Sequence, residues 1–146
     1  SGMFHNPAQL SNMKGKKIIS GYSNLYNLDF LTYSHFGVSY DNYSINFEKM
    51  STEINGTSLS SESVLGIAKG MNVYSDRQSL IEAGSRFNLY SYNFGKSAGT
   101  EGDGSNGIDL GSGTALGADL GFQGVLNDKY YVGYYLQNIY SYGIYR

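Results

Sequence analysis

Residues 114–138 limit what this chain can fold into more than any other stretch. Two long segments there flank the polar turn Asn127-Asp128-Lys129. In the first, Leu116, Ala118, Leu120 and Phe122 alternate with Gly117, Asp119, Gly121 and Gln123. In the second, Tyr130, Val132, Tyr134 and Leu136 alternate with Tyr131, Gly133, Tyr135 and Gln137. A period of two is that of a β-strand with one apolar and one polar face. Each arm has the roughly 10 residues that a tilted strand needs to cross a bilayer. An architecture that repeats this unit is all-β: an antiparallel up-and-down barrel of the transmembrane, outer-membrane type, or half of one.

The rest of the chain repeats the pattern. Strands are expected over residues 16–24, 29–40, 43–53, 64–74, 78–94, 114–126 and 130–140. On the third of these Tyr43, Ile45 and Phe47 oppose Ser44, Asn46 and Glu48. On the fifth Ile81, Ala83, Ser85, Phe87 and Leu89 oppose Glu82, Gly84, Arg86 and Asn88. Beyond Leu89 the bulk passes to Tyr90, Tyr92 and Phe94, which a β-bulge or an aromatic girdle would explain. Short turns are expected at Asp41-Asn42, Ser75–Arg77 and 127–129, and longer links at 54–63 and 95–113. Asn55-Gly56 is a hairpin-turn signal, although Asn55-Gly56-Thr57 also fits a glycosylation acceptor. Seven strands leave an open edge, so either residues 141–146 begin an eighth or the chain is part of a larger barrel of even strand number.

Composition agrees with a two-faced sheet. The 146 residues form one domain, with 20 Gly, 15 Tyr, 7 Phe and a single Pro. Only 15% are charged, below the usual quarter for soluble domains. The net charge of −2 offers no basic footprint, which argues against nucleic acid as a partner. The absence of cysteine removes disulfides and thiolate metal sites. No run of 18 apolar residues exists, and no signal-peptide pattern, so a secreted protein would be present here in processed form.

No catalytic constellation emerges; neither an enzyme nor a cofactor is expected. His5 and His35 lack neighbours at zinc-ligand spacing, so no metal site is assigned. Glu101, Asp103, Ser105, Asn106 and Asp109 supply oxygens in a Gly-rich loop, without the closing glutamate of an EF-hand. The candidate lumen- or ligand-facing residues are Glu82, Arg86, Asn88, Asp119 and Gln123, with a cross-strand pairing of Arg86 and Asp119 as a specific expectation. Solvated polar faces are the plainer alternative. Tyr130, Tyr131, Tyr134 and Tyr135 suit packing or an interfacial girdle, and could also stack on sugar. Residues 1–13 show no period; Pro7 biases Asn6 away from helical dihedrals and opens a short turn or helix from Ala8. A loosely packed N-terminus is the alternative there.

Two stretches carry a resemblance. Asn6-Pro7-Ala8-Gln9-Leu10 resembles the N-P-A-G-L motif near the mature N-terminus of FadL-type long-chain fatty-acid transporters and the related PorV/PorQ-like outer-membrane proteins, with Gln9 where the family favours Gly. Residues 116–138 resemble their recurring hairpin, which closes on Gln-Asn as Gln137-Asn138 does here. The resemblance spans most of the chain and the N-terminal half of such a protein. It implies a barrel of about fourteen strands, with residues 1–15 as a hatch-like element carrying Asn6, Pro7 and Ala8, and residues 16–146 as wall. It further implies either passage of a hydrophobic small-molecule ligand or a secretion and surface-assembly role. The expected partners are then the lipid bilayer of a bacterial outer membrane, that ligand, and protein partners or self-association completing the sheet. Two alternatives remain: a soluble, secreted or cell-surface β-sandwich or adhesin-like module binding glycan or protein, and a subunit of a larger membrane-associated assembly.

Overall fold

The computed structural model describes residues 6–97, 99–102 and 106–145. It contains one seven-stranded antiparallel sheet whose spatial order follows the chain. The strands are β1 (Lys16–Asn24), β2 (Leu31–Tyr40), β3 (Tyr43–Ile54), β4 (Thr57–Ser75), β5 (Leu80–Asn93), β6 (Ser112–Leu126) and β7 (Tyr130–Tyr145). A short 3-10 segment, Pro7–Asn12, precedes them.

Three expectations are corrected by the way the strands end. The anticipated link at 54–63 is a two-residue hairpin. Asn55 (φ 51°) and Gly56 (φ 76°) both take the positive φ of a type I′ turn, whose twist matches the flanking strands, and β4 begins at once with Thr57. The polar Ser-rich stretch after the turn is therefore strand. Residues 141–145 are not an eighth strand; they continue β7 along β6 as far as Tyr145 opposite Gly113. The apparent change of phase after Leu89 is neither a bulge nor a girdle. Both ladders of β5 run without a shift through this region. Tyr90 and Tyr92 follow Asn88 on the same face and are half-buried, with ring planes 10° apart and centroids 6.3 Å apart.

The turn between β4 and β5 is organised by Asp76. Its carboxylate accepts from the backbone N–H of Gln78 (2.8 Å) and Ser79 (2.6 Å) and from the Tyr74 hydroxyl (2.8 Å). These donors, the Gln78 N–H foremost, hold the Asp76 pKa below its usual 3.8. A carboxyl whose folded pKa is depressed stabilises the fold above its unfolded pKa and loses that contribution as pH falls through the folded one. The thermal midpoint of Asp76→Ala is accordingly expected to lie below that of the native chain near neutrality. The gap should be small, because the group is exposed, and should close below about pH 4.

The two faces of the sheet differ in kind. On the outer face, Phe36, Phe47, Leu65, Leu89, Leu116 and Tyr142 form one continuous cross-strand row over β2–β7, and every one is exposed. The neighbouring row crosses all seven strands through Ile18, Val38, Ile45, Ile67, Phe87, Ala118 and Tyr140. The inner face carries Ser39, Ser44, Asn46, Glu82, Arg86, Asn88 and Asp119, all buried. Among the described residues the buried apolar side chains are only Pro7, Ala8, Leu10 and Ala68. Met13 and Ile19 pack against Leu10 and Ala68. Ile19 lies on β1 and Ala68 on β4, about 14 Å apart in a flat sheet. Their meeting at one cluster means that the sheet curls around the N-terminal segment.

Candidate functional site on the inner face

A row of glycines seats the N-terminal segment. Gly70 on β4 is the register partner of Gly84 on β5, which in turn pairs with Gly121 on β6. Their missing side chains leave a trough across three strands, and Asn6–Asn12 lies in it. A methyl on Gly121 would overlap Asn6 Oδ1, one on Gly84 the Pro7 carbonyl, and one on Gly70 the backbone of Leu10 and Ser11. The segment thus runs from β6 over β5 to β4. Six residues of 3-10 helix rise about 2 Å each, enough to cover strands ~4.8 Å apart.

Asn6 and Pro7 begin this segment for local reasons. The Asn6 backbone is extended (φ −64°, ψ 115°), as a residue before proline should be. Its Oδ1 caps the Ala8 N–H at 3.0 Å. Pro7 occupies the first helical position, where its missing N–H is no loss. The Asn6 Nδ2 donates to the Phe122 and Tyr134 carbonyls at 3.3 and 3.5 Å, tying the start of the segment to β6 and β7. Pro7, Ala8 and Leu10 are buried, so the alternative of a loosely packed N-terminus does not hold for residues 6–12; residues 1–5 lie outside the described part.

Polar rows border the trough on both sides. On one side Glu82 stands opposite Gln123; it accepts from the Gln123 side chain (2.5 Å) and from the Ser11 hydroxyl of the seated segment. On the other side Arg86 stands opposite Asp119. All five expected inner-face residues therefore line one surface, with Glu82, Arg86, Asn88 and Asp119 buried and Gln123 half-buried. Arg86 and Asp119 are register partners, yet the Asp119 oxygens serve other donors. Asn88 Nδ2 (2.8 Å) and the Tyr135 hydroxyl (3.0 Å) reach Oδ2, and the Asn138 N–H (2.8 Å) reaches Oδ1.

The Asn138 contact exposes a feature that alternation alone does not reveal. Between the pairs Ala118–Tyr140 and Leu120–Leu136, Asp119 alone on β6 faces Gln137, Asn138 and Ile139 on β7. Asn138 sits in the left-handed region (φ 52°), which asparagine tolerates better than most residues. Its side chain accepts from the Tyr90 hydroxyl at 3.1 Å. Two extra residues preserve the two-residue phase, so Tyr140, Tyr142 and Ile144 return to the outer face. A buried carboxylate placed where the ladder is interrupted captures the backbone N–H that the interruption frees.

No family model, curated protein or solved structure matches the chain. The site is therefore interpreted from its own geometry. No cluster of three metal-ligating side chains occurs among the described residues. Of the loop oxygens, Asp103 and Ser105 fall outside the described part, and Asp109 is bridged to Lys96 in a β-pairing. Of the four candidate tyrosines Tyr135 joins the Asp119 network, while Tyr130, Tyr131 and Tyr134 are exposed. The glycine trough, Asn46 and Asn138 are the residues missed by sequence reasoning. Inward glycines on three successive strands, and the Gln-Asn pair closing the hairpin, were the available signals.

Proposed function

We propose that the chain forms part of the wall of a bacterial outer-membrane β-barrel, with its N-terminal segment seated inside, and that it serves passage or binding of a solute rather than catalysis. The observation that carries this reading is the inversion of the usual protein sidedness. Apolar side chains face outward over every strand, while a carboxylate such as Asp119 is 1% exposed within. The four buried apolar residues among those described, Pro7, Ala8, Leu10 and Ala68, cannot supply the core of a water-soluble domain of this size, so the outer face needs an apolar environment. On β4 the outward run Leu65, Ile67, Lys69, Met71 and Val73 spans about 27 Å, close to the ~25 Å apolar band of such barrels. Lys69 interrupts it with its ammonium 4.9 Å from the Tyr43 ring centroid, and Lys16 lies likewise 5.8 Å from Tyr40. Cation–π contact reduces the penalty of a charge within an apolar surface.

The outer backbone edges of β1 and β7 have no neighbour in this sheet, and in hydrocarbon every backbone polar group needs a partner. Further strands, from the same polypeptide or another, would close the barrel. The inner surface around the seated segment is polar, which favours a polar solute over a hydrophobic one.

Purified protein is expected to require detergent or lipid, to float with liposomes and to aggregate when detergent is diluted away. A folded monomer in plain buffer would sink the proposal. Phe87→Arg sharpens the test. In a bilayer it should destabilise by ~2–4 kcal/mol, measured by urea unfolding in liposomes, whereas an outward residue of a water-facing sheet would tolerate the charge.

A further inference from the structure

Arg86 is buried with idle donors. It is 5% exposed, and its Nε and Nη2 find no acceptor among the described residues. Asp119, directly across the ladder, is engaged by Asn88, Tyr135 and Asn138. A guanidinium cannot shed its proton in a protein, and buried N–H groups without acceptors are costly. Arg86 is one of the residues lining a cavity of about 310 Å³, room for about ten waters at ~30 Å³ each.

The same cavity wall contains a complementary vacancy. Asn46 is 2% exposed, and its Oδ1 receives no hydrogen bond among the described residues. An occupant that satisfied both side chains would accept from Arg86 and donate to Asn46. Charge narrows the choice: the wall also holds Glu48 and Asp119, so an anion would add a third negative charge beside one positive. A hydroxyl both accepts and donates, and adjacent hydroxyls on a rigid ring meet both needs without adding charge. Tyr90 and Tyr135 supply aromatic wall, and Tyr92 on β5 and Phe94 just beyond its end continue from Tyr90 with successive ring planes 10° apart.

We propose that this cavity binds a neutral polyhydroxylated solute, a sugar unit, through Arg86 and Asn46. The proposal rests on the reading of the inner face as the barrel lumen. The test is saturation-transfer NMR on the purified chain, in a detergent without a sugar headgroup, with maltotriose as the probe and decanoate as the anionic competitor. Transfer to the sugar ring protons is expected with the native protein. Affinity should fall about tenfold in Arg86→Lys, which keeps the charge but loses the planar fork, and similarly in Asn46→Ala. Circular dichroism checks that each variant keeps its strand content, and if Arg86→Lys does not fold, Asn46→Ala decides. No transfer to maltotriose in the folded native protein overturns the proposal, since the cavity then holds only water. Equal binding by both variants places the sugar elsewhere and overturns it too. Binding of decanoate in place of maltotriose overturns it in favour of an anionic amphiphile. Behaviour on detergent removal reports separately on the barrel reading.

Discussion

Replacing Gly84 with alanine is expected to drive the N-terminal segment off the sheet. The added methyl would overlap the Pro7 carbonyl and the Ala8 nitrogen, and backbone atoms cannot swing aside as a flexible side chain can. Overpacking of this kind costs ~1–3 kcal/mol, and the seat itself rests on a small buried set, Pro7, Ala8 and Leu10. The strand ladders on either side of Gly84 do not depend on the segment, so the loss should be local rather than global. The chain lacks cysteine, which makes a single reporter clean. With Ala8→Cys as reporter, maleimide labelling should accelerate ~5–30-fold when Gly84→Ala is added, the change in opening equilibrium that one or two kcal/mol produces. Gly133→Ala is the control, because nothing lies within 4 Å of a methyl there. Equal labelling rates in all three backgrounds would show that the glycine trough does not hold the segment.

Asp119→Ala is expected to be the most destabilising single substitution on the inner face. It strands the Asn88 amide, the Tyr135 hydroxyl and the Asn138 backbone N–H at once. Each buried donor left without an acceptor costs ~1–3 kcal/mol, and removal of one partner from a buried charged network typically costs ~3–5 kcal/mol. The substitution also leaves the Arg86 charge without its opposite across the ladder. Asp119→Asn should fall between the two, because one oxygen remains as an acceptor while the new amide opposes donors. Urea midpoints in detergent, followed by circular dichroism, would measure both. A midpoint for Asp119→Ala within experimental error of the native chain would show that the β7 interruption is held by something other than this carboxylate. The coupling is also testable: Asn138→Gly keeps the left-handed backbone and the N–H but removes the Tyr90 contact, so it should cost far less than Asp119→Ala.

Much of this was legible in residue order, for a simple reason. Side chains alternate along an uninterrupted strand, so the faces of β5 follow from position alone: Phe87 outward implies Arg86 and Asn88 inward. Glu82, Arg86, Asn88, Asp119 and Gln123 could therefore be placed on one surface without coordinates. Asn55-Gly56 marked a turn on conformational grounds. The Ser-rich stretch after it did not read as strand, because its residues lack the apolar alternation that signals a buried face. Residues 90–94 misled for the opposite reason: bulky aromatics on the inner face look like a change of phase when bulk is assumed to face outward.

What sequence by itself determined, then, is the two-faced all-β character of the chain, most of its strand positions and the side to which each side chain points. These depend on the local geometry of an extended backbone, which every strand carries with it. Only the tertiary structure decided the register. That set Gly70, Gly84 and Gly121 in one row, laid Asn6–Asn12 across it, brought Asp119 opposite the interrupted stretch of β7, and placed Arg86 and Asn46 in the wall of one cavity. Register is fixed between neighbouring strands, through ladder hydrogen bonds and the turns that join them, and no period within a single strand records it.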